Sequence, residues 1–243
     1  YVLIAPGLFF DYLASPEDLN LKYQFSNFFK FLRFIGLLVS VLLPGLYMAI
    51  ATIHVEFIPT ELLLVIIGSR ESVPFPIFFE ILIMEVSLEL IREAGVRVPT
   101  PLGQTIGIVG ALVLGQAAVD ASIVSPILII IVAFTGIASF TIPDFSLGLY
   151  SRLTRFFYII LGYFLGLVGI GVGIFINAVV ICSMKSFGVS YLAPLLPNTG
   201  NQSHFGIFLI PAWKRESRDA FLATKKEKKE KHISMEWKFP KKA

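Results

Sequence analysis

PFPIFFEILIMEVSLELIREAG, residues 74–95, is the stretch that decides the fold of this chain. It is apolar enough to enter a lipid bilayer, yet it carries four glutamates: Glu80, Glu85, Glu89 and Glu93. A carboxylate in hydrocarbon costs several kcal/mol unless it is paired, protonated or facing water. The segment therefore crosses a membrane, lines a polar path or lies at a membrane surface.

The composition of the whole chain predicts an integral α-helical membrane protein. Of the 243 residues, 56% are hydrophobic and 15% are charged, and the mean hydropathy is +0.79. A soluble domain has about 25% charged residues. Several apolar runs reach about 18 residues, the length that crosses the hydrocarbon core. They are continuous rather than alternating with a period of two, which argues against a transmembrane β-barrel.

The predicted fold class is all-α, a polytopic helical membrane protein with about four full spans plus partial and amphipathic helices. Basic residues at both ends favour cytoplasmic termini and an even number of crossings. We expect an amphipathic lead-in over residues 1–30, a membrane domain over residues 31–213 and a basic cytoplasmic tail over residues 214–243. The spans are predicted near residues 31–51, 104–119, 124–142 and 156–182, with an amphipathic helix over residues 75–93.

The predicted tail is the most basic part of the chain. It holds eleven of the 20 Lys and Arg residues but five of the 17 Asp and Glu residues. This charge fits a solvated cytoplasmic segment, or one that contacts anionic lipid headgroups at about 1 kcal/mol per basic residue. We do not expect nucleic acid as a partner.

Local signals add three expectations about helix boundaries. Ser15-Pro16-Glu17-Asp18 is a helix start, and the helix is predicted to continue through Phe29. Pro44-Gly45 predicts a kink or break inside the first span. The last apolar run, residues 156–182, is longer than one untilted span needs and is expected to tilt or protrude. Small residues recur on two helix faces and permit close helix packing: Gly107, Ala111 and Gly115, and Gly162, Gly166, Gly169 and Gly173.

The four glutamates do not share one helix face. With Glu80 as the reference, Glu85, Glu89 and Glu93 lie at about 140°, 180° and 220° around a helix. Three acids thus form one side of the helix, and Glu80, which stands apart from them, is predicted to be the buried acid. We treat all four as candidates for a polar vestibule. Three interpretations stay open: acids in water or paired to Arg92 or Arg97 on an interfacial or inter-subunit helix, acids beside a cation pathway, or a proton-coupled carboxylate.

A second group of polar residues, GQAAVDASIVSP at residues 115–126, separates two apolar runs. A broken helix pair exposes helix ends and backbone carbonyls to a cavity, as channels and transporters require. The alternative is a hairpin turn at the membrane surface in which Asp120 is solvated and caps the next helix. The candidates for the pore and its gate are Gln116, Val119, Asp120, Ser122, Ile123, Val124 and Ser125.

The sequence predicts no enzyme, cofactor or metal site. It contains no Gly-rich phosphate loop, no HExxH and no GxSxG. Its three histidines are scattered, and Cys182 is its single cysteine, which excludes an internal disulfide.

Several blocks of the chain, in order, resemble the GerA-type spore germination family, which includes germinant receptor A subunits and SpoVAF-type proteins. The matching blocks cover roughly residues 10–200. They are Pro-Phe-Pro before Glu80, MEVSLELIREAGVRVP, IGIVGALVLGQAAVDA, TGIASFTIPD and SFGVSYLAP, with SPED ahead of the first span. The last block favours the SpoVAF branch weakly. Family members have a soluble domain before the membrane region, so we expect this chain, which starts at Tyr1, to be processed or part of a longer protein.

The resemblance implies a function in the inner membrane of bacterial endospores. It implies a homo-oligomeric channel, pentameric in the family, that releases monovalent cations during germination alongside other germination membrane proteins. Carried onto this chain, it places the pore at the break between residues 116 and 125, with Val119, Ile123 and Val124 as a hydrophobic constriction. Two other hypotheses stay open: a secondary transporter that uses Glu85 or Glu89, and a non-conducting scaffold of the germination complex.

Overall fold

The computed structural model describes residues 6–97, 110 and 113–196 and is mostly helical. The chain divides into two compact units. The central unit contains Gly36–Thr141 and Gly148–Ile174, and the terminal unit contains Tyr1–Ile35, Ile142–Leu147 and Phe175–Ala243. The predicted tail, residues 214–243, lies outside the described residues.

The elements follow one another in this order. The short helix α1 (Phe9–Tyr12) and a 3-10 helix (Pro16–Asn20) precede the long helix α2 (Tyr23–Thr52). A second 3-10 helix (Val55–Phe57) leads to α3 (Thr60–Arg70) and α4 (Ile77–Arg97). Helical residues 113–120 form α5. The chain continues with α6 (Pro126–Phe140), α7 (Phe145–Ser183) and an antiparallel pair of short strands, β1 (Lys185–Ser186) and β2 (Val189–Ser190).

In the terminal unit, hydrogen bonds and an ion pair hold the first residues of the chain in place. The Asp18 carboxylate accepts hydrogen bonds from the backbone N–H of Ser15 and from the Arg33 guanidinium. The predicted continuous helix from Pro16 to Phe29 is wrong, because the chain is extended at Leu21 before α2 begins at Tyr23. The backbone N–H of Phe9 donates to the Tyr191 carbonyl at 2.9 Å.

The core of the central unit is built by apolar residues at helical spacing on four segments. They come from α2, α4, the first half of α6 with Val124 just before it, and α7. Buried there together are Met48, Ile77, Ile81, Met84, Val124, Leu128, Val132 and Ile159. This core fixes α4 against the α5–α6 connection.

Two helices in the described part of the chain, α2 and α7, are long and apolar enough to cross a membrane. The predicted span at 31–51 lies within α2. The predicted break at Pro44-Gly45 is wrong, since α2 continues through both residues. A Cβ atom on Gly45 would lie 2.8 Å from the Tyr158 carbonyl oxygen, so this glycine lets α7 approach closely. Four full spans are not confirmed: α6 is short, and much of the predicted span at 104–119 lies outside the described residues.

The helix α7 folds back on itself at Gly166. This residue has φ 61° and ψ −142°, a conformation that suits glycine. In a straight helix, residues 158 and 173 would be about 22 Å apart. Here a Cβ atom on Gly173 would lie 2.8 Å from the Tyr158 ring. The predicted single tilted or protruding span is therefore replaced by two packed helical segments, residues 145–165 and 167–183.

Candidate pore-facing segment and its charge network

The glutamates of α4 have different surroundings. Glu80 and Glu85 are 1% and 2% exposed, Glu89 is half-buried, and Glu93 is exposed. The expectation that Glu80 is the buried acid is confirmed. Glu85, one of the three acids predicted on the other side of the helix, is buried as well, because the Arg155 guanidinium of α7 binds it.

Glu85 forms the most buried ion pair of the described residues. Its Oε2 accepts a hydrogen bond from Nη1 of Arg155 at 2.6 Å, and Arg155 is 3% exposed. Nε of Arg155 donates to the carbonyl of Ser40 at 2.7 Å. The pair thus joins α2, α4 and α7. Removing one partner of a buried pair leaves an uncompensated charge, so both side chains must be present together.

Glu89, one turn further along α4, bridges two arginines. Nη1 of Arg152 on α7 donates to one carboxylate oxygen at 3.0 Å, and Nη1 of Arg92 lies 3.4 Å from the other. Arg92 also donates to Oγ of Ser139 at 2.8 Å and stacks over the Phe140 ring. The pairing with Arg92, one of the two predicted from the sequence, is therefore observed. The other cannot be compared, because the side chain of residue 97 lies outside the described residues.

Glu80 connects α3 to the start of α6. Its Oε1 accepts hydrogen bonds from Nη2 and Nε of Arg70, at 2.8 and 3.2 Å. Its Oε2 accepts a hydrogen bond from the backbone N–H of Ser125 at 3.0 Å. Ser125 is the N-cap residue of α6, so a carboxylate from another helix occupies this helix terminus. A negative charge is favourable there because backbone N–H groups are unpaired and the helix dipole is positive.

The connection between α5 and α6 is a tight turn. Ser122 adopts φ 52°, in the left-handed region that non-glycine residues visit rarely. The backbone N–H groups of Ile123 and Val124 both reach the Ala118 carbonyl, at 2.9 and 3.3 Å. The polar break predicted from the sequence is therefore a capped helix end followed directly by α6.

The seven pore and gate candidates divide by exposure. Gln116, Asp120 and Ile123 are exposed, and Val119 and Ser122 are half-buried. Val124 lies in the core and Ser125 is buried beside Glu80. The side chain of Asp120 makes no hydrogen bond or ion pair with any other residue that the structure describes. This side chain and that of Gln116 are one turn apart and share a face of α5.

Sequence reasoning missed the arginines that pair with these acids. Arg152 and Arg155 are distant from α4 in sequence, whereas Arg70 lies ten residues before Glu80 at the end of another helix. One signal was present: Arg152 and Arg155 are three residues apart, and Glu85 and Glu89 are four apart. Such spacings place each pair on one helix face. When the two helices run antiparallel, the order of the partners is reversed, so Glu85 pairs with Arg155 and Glu89 with Arg152.

Comparison with known proteins establishes the family. Residues 1–221 match the profile of the Bacillus/Clostridium GerA spore germination protein. This chain belongs to the GerA family of spore germination proteins. The resemblance drawn from the sequence blocks is thereby confirmed.

Individual relatives of this GerA family member are similar in the same region. Spore germination protein KA of Bacillus subtilis (strain 168) is 45% identical over 90% of this chain and 40% of its own length. Spore germination protein GerLA of Bacillus cereus is 40% identical over 93% of this chain and 46% of its own. The uncharacterized membrane protein YfkQ of Bacillus subtilis (strain 168) is 44% identical over 81% of this chain and 38% of its own.

The chain thus spans about two fifths of the length of these relatives. The germination proteins, the relative named as a membrane protein and the two long apolar helices together indicate a germination protein with a membrane location. No solved structure matches the chain.

Proposed function

We propose that this chain is the membrane region of a subunit that forms an oligomeric cation channel, releasing monovalent cations during spore germination. The proposed assembly is a homo-oligomer, a pentamer as the resemblance implies, in the spore inner membrane. Other germination membrane proteins are the proposed partners. The observation that carries the proposal is the exposed face of α5.

The exposed side of α5 carries two polar side chains among apolar ones, whereas a lipid-facing surface would be apolar throughout. Gln116 and Asp120 are exposed on it, next to the small residues Ala117 and Ala121. A carboxylate that faces lipid is costly, so polar side chains in membrane segments face water or other protein. Rings of acidic side chains favour cations in channels. A ring of subunits with α5 inward would give such an aqueous path, with Val119 and Ile123 as its apolar constriction.

A secondary transporter that uses a buried glutamate is the alternative, and Glu85 and Glu89 are its candidates. A coupling carboxylate must exchange its ion with water. Glu85 is enclosed and already bound by Arg155, and Glu89 is bound by Arg92 and Arg152. These pairings support structural roles for both acids. The channel proposal is therefore favoured over the transporter, and a non-conducting scaffold becomes an outcome of the flux test.

The test is potassium efflux from liposomes that contain the purified full-length protein. We expect efflux with the wild-type protein and a clear reduction with Asp120→Asn, which removes the charge from the α5 face. Glu56→Gln is the matched control, because Glu56 is also exposed but lies on the 3-10 helix after α2. Assembly without efflux would support the scaffold. Efflux that is equal in wild type and Asp120→Asn would remove Asp120 from the path.

A further inference from the structure

We infer that Glu80 is a positioning residue that holds the α5–α6 turn in place and ties its geometry to α3. Its two carboxylate oxygens are used separately, one by Arg70 of α3 and the other by the backbone N–H of Ser125. Its influence on cation flux rests on the proposed function, but its influence on the turn does not.

The turn needs such a contact because its own backbone is not in a relaxed conformation. Ser122 has φ 52°, in the left-handed region that is unfavourable for a residue with a side chain. Its neighbours on either side have different exposure: Asp120 is exposed, and Val124 is packed against Ile81 and Met84. The Glu80–Ser125 hydrogen bond lies one residue after Val124. It thus holds the backbone in place between the exposed residues of α5 and the buried start of α6.

The arrangement requires a carboxylate rather than a neutral group of the same shape. Each oxygen of Glu80 accepts from a donor, and an ionised carboxylate has acceptors only. A glutamine has one acceptor and one donor end. Whichever way its amide turned, its NH2 group would face either the Arg70 guanidinium or the Ser125 N–H. Glu80→Gln therefore breaks one of the two contacts while keeping the volume of the side chain.

The connection reaches a helix that is well placed to move. The apolar residues of α3 are mostly exposed, including Leu62, Leu64 and Ile67, with Ile66 buried. Arg70 is at the end of α3, and its side chain is 25% exposed. A displacement of α3 would therefore pull on Glu80 and, through it, on the backbone N–H of Ser125, the N-cap residue of α6. Arg70 and Glu80 thus give a polar path from α3 to the turn, beside the direct packing of α3 on α6.

Hydrogen exchange of the Ser125 amide, measured by mass spectrometry on the full-length protein in lipid nanodiscs, tests the inference. We expect Glu80→Gln to raise this exchange rate about tenfold, which corresponds to about 1.4 kcal/mol. Glu89→Gln is the matched control, because Glu89 is on the same helix and is also bound by arginines, but its ion pairs are with Arg92 and Arg152. We expect Glu89→Gln to leave the Ser125 amide unchanged.

Arg70→Gln tests the link to α3 and keeps the inference falsifiable if Glu80→Gln does not fold. It leaves Glu80 charged and changes a partly exposed side chain, and it should still raise Ser125 exchange. Combined with Glu80→Gln, its effect should be smaller than the sum of the two, because residues in one network are coupled. An unchanged Ser125 rate in both variants, or an equal rise in Glu89→Gln, would overturn the inference.

Potassium efflux from liposomes separates this inference from the proposed function. If Glu80→Gln and Arg70→Gln alter both Ser125 exchange and efflux, the positioning role of Glu80 and the channel proposal are both supported. If exchange rises while neither wild type nor variant conducts, the positioning role stands and the channel proposal fails. If wild type conducts and Ser125 exchange does not respond, the channel proposal stands and the role of Glu80 is wrong.

Discussion

Acidic residues on α4 and α5 have opposite surroundings, although the two helices are close in sequence. On α4, Glu80 and Glu85 are buried, and both are bound by arginines from other helices. On α5, Asp120 is exposed and has no partner among the described residues. The buried acids contribute to the fold of the central unit, because a buried charge is tolerated only when it is paired.

The exposed acid of α5 has no such role in the fold. Its presence on a surface with many exposed apolar side chains is costly in a lipid environment unless water or another subunit covers it. The comparison therefore separates two kinds of acid in one membrane protein. Pairing indicates a structural residue, and an unpaired acid on an exposed face indicates a candidate for function. Variants of the two kinds of acid should therefore differ in their free energy of unfolding and in potassium efflux.

The largest expected effect is on the Glu85–Arg155 pair. Arg155→Leu leaves the Glu85 carboxylate buried without its partner and should lower the free energy of unfolding by about 3–5 kcal/mol. The measurement is an SDS titration of the folded protein in mixed micelles. Adding Glu85→Met should restore most of the lost stability, because an apolar pair of similar volume leaves no unpaired charge in the interior. If the double variant is less stable than Arg155→Leu, the pair is not the cause.

The glycines at the bend of α7 provide the next test of the central unit's interior. A Cβ atom at Gly169 would lie 2.3 Å from the Leu161 carbonyl oxygen, whereas one at Gly171 meets no atom within 4 Å. Gly169→Ala should cost about 1–3 kcal/mol through overpacking. Gly171→Ala should stabilise the helix by about 0.5–1 kcal/mol. Thermal unfolding in detergent compares the two variants, and equal midpoints would contradict the folded-back α7.

Glu89 should show a smaller effect than Glu85, which sharpens the comparison within α4. Its side chain is 34% exposed, so water already screens its pairs with Arg92 and Arg152. Glu89→Gln should therefore cost about 0.2–1 kcal/mol, as exposed ion pairs do. The same SDS titration measures it. Added salt should reduce the loss in free energy of unfolding more for Glu89→Gln than for Arg155→Leu. The opposite order would mean that Glu89 is more enclosed than Glu85.

The sequence was sufficient for the family, for the helical class and for the burial of Glu80. The angular position of Glu80 on α4 differs from that of the other three acids, and the structure encloses it. The blocks that resemble the GerA family lie within the matched residues 1–221. These features depend on local order along the chain, which a single sequence contains.

The remaining features depend on contacts between distant residues. The pairing of Glu85 with Arg155 joins residues 70 positions apart. The bend of α7 follows from one backbone conformation at Gly166, and the sequence shows only a glycine-rich apolar run there. At Pro44-Gly45, where the sequence predicted a kink or a break, α2 is unbroken, and Gly45 lies against the Tyr158 backbone of α7. Helix propensity and spacing alone do not determine which of these contacts forms.

Asp120→Asn is expected to have the smallest effect on stability, and it tests the other side of the comparison. Because Asp120 is exposed and has no partner among the described residues, the free energy of unfolding should change by no more than about 0.5 kcal/mol. Potassium efflux should nevertheless fall, since the substitution removes a negative charge from each copy of the proposed ring. A loss of stability as large as that of Arg155→Leu would mean that Asp120 is paired in the assembled protein. It would then belong with the acids of α4, and the separation between the two helices would not hold.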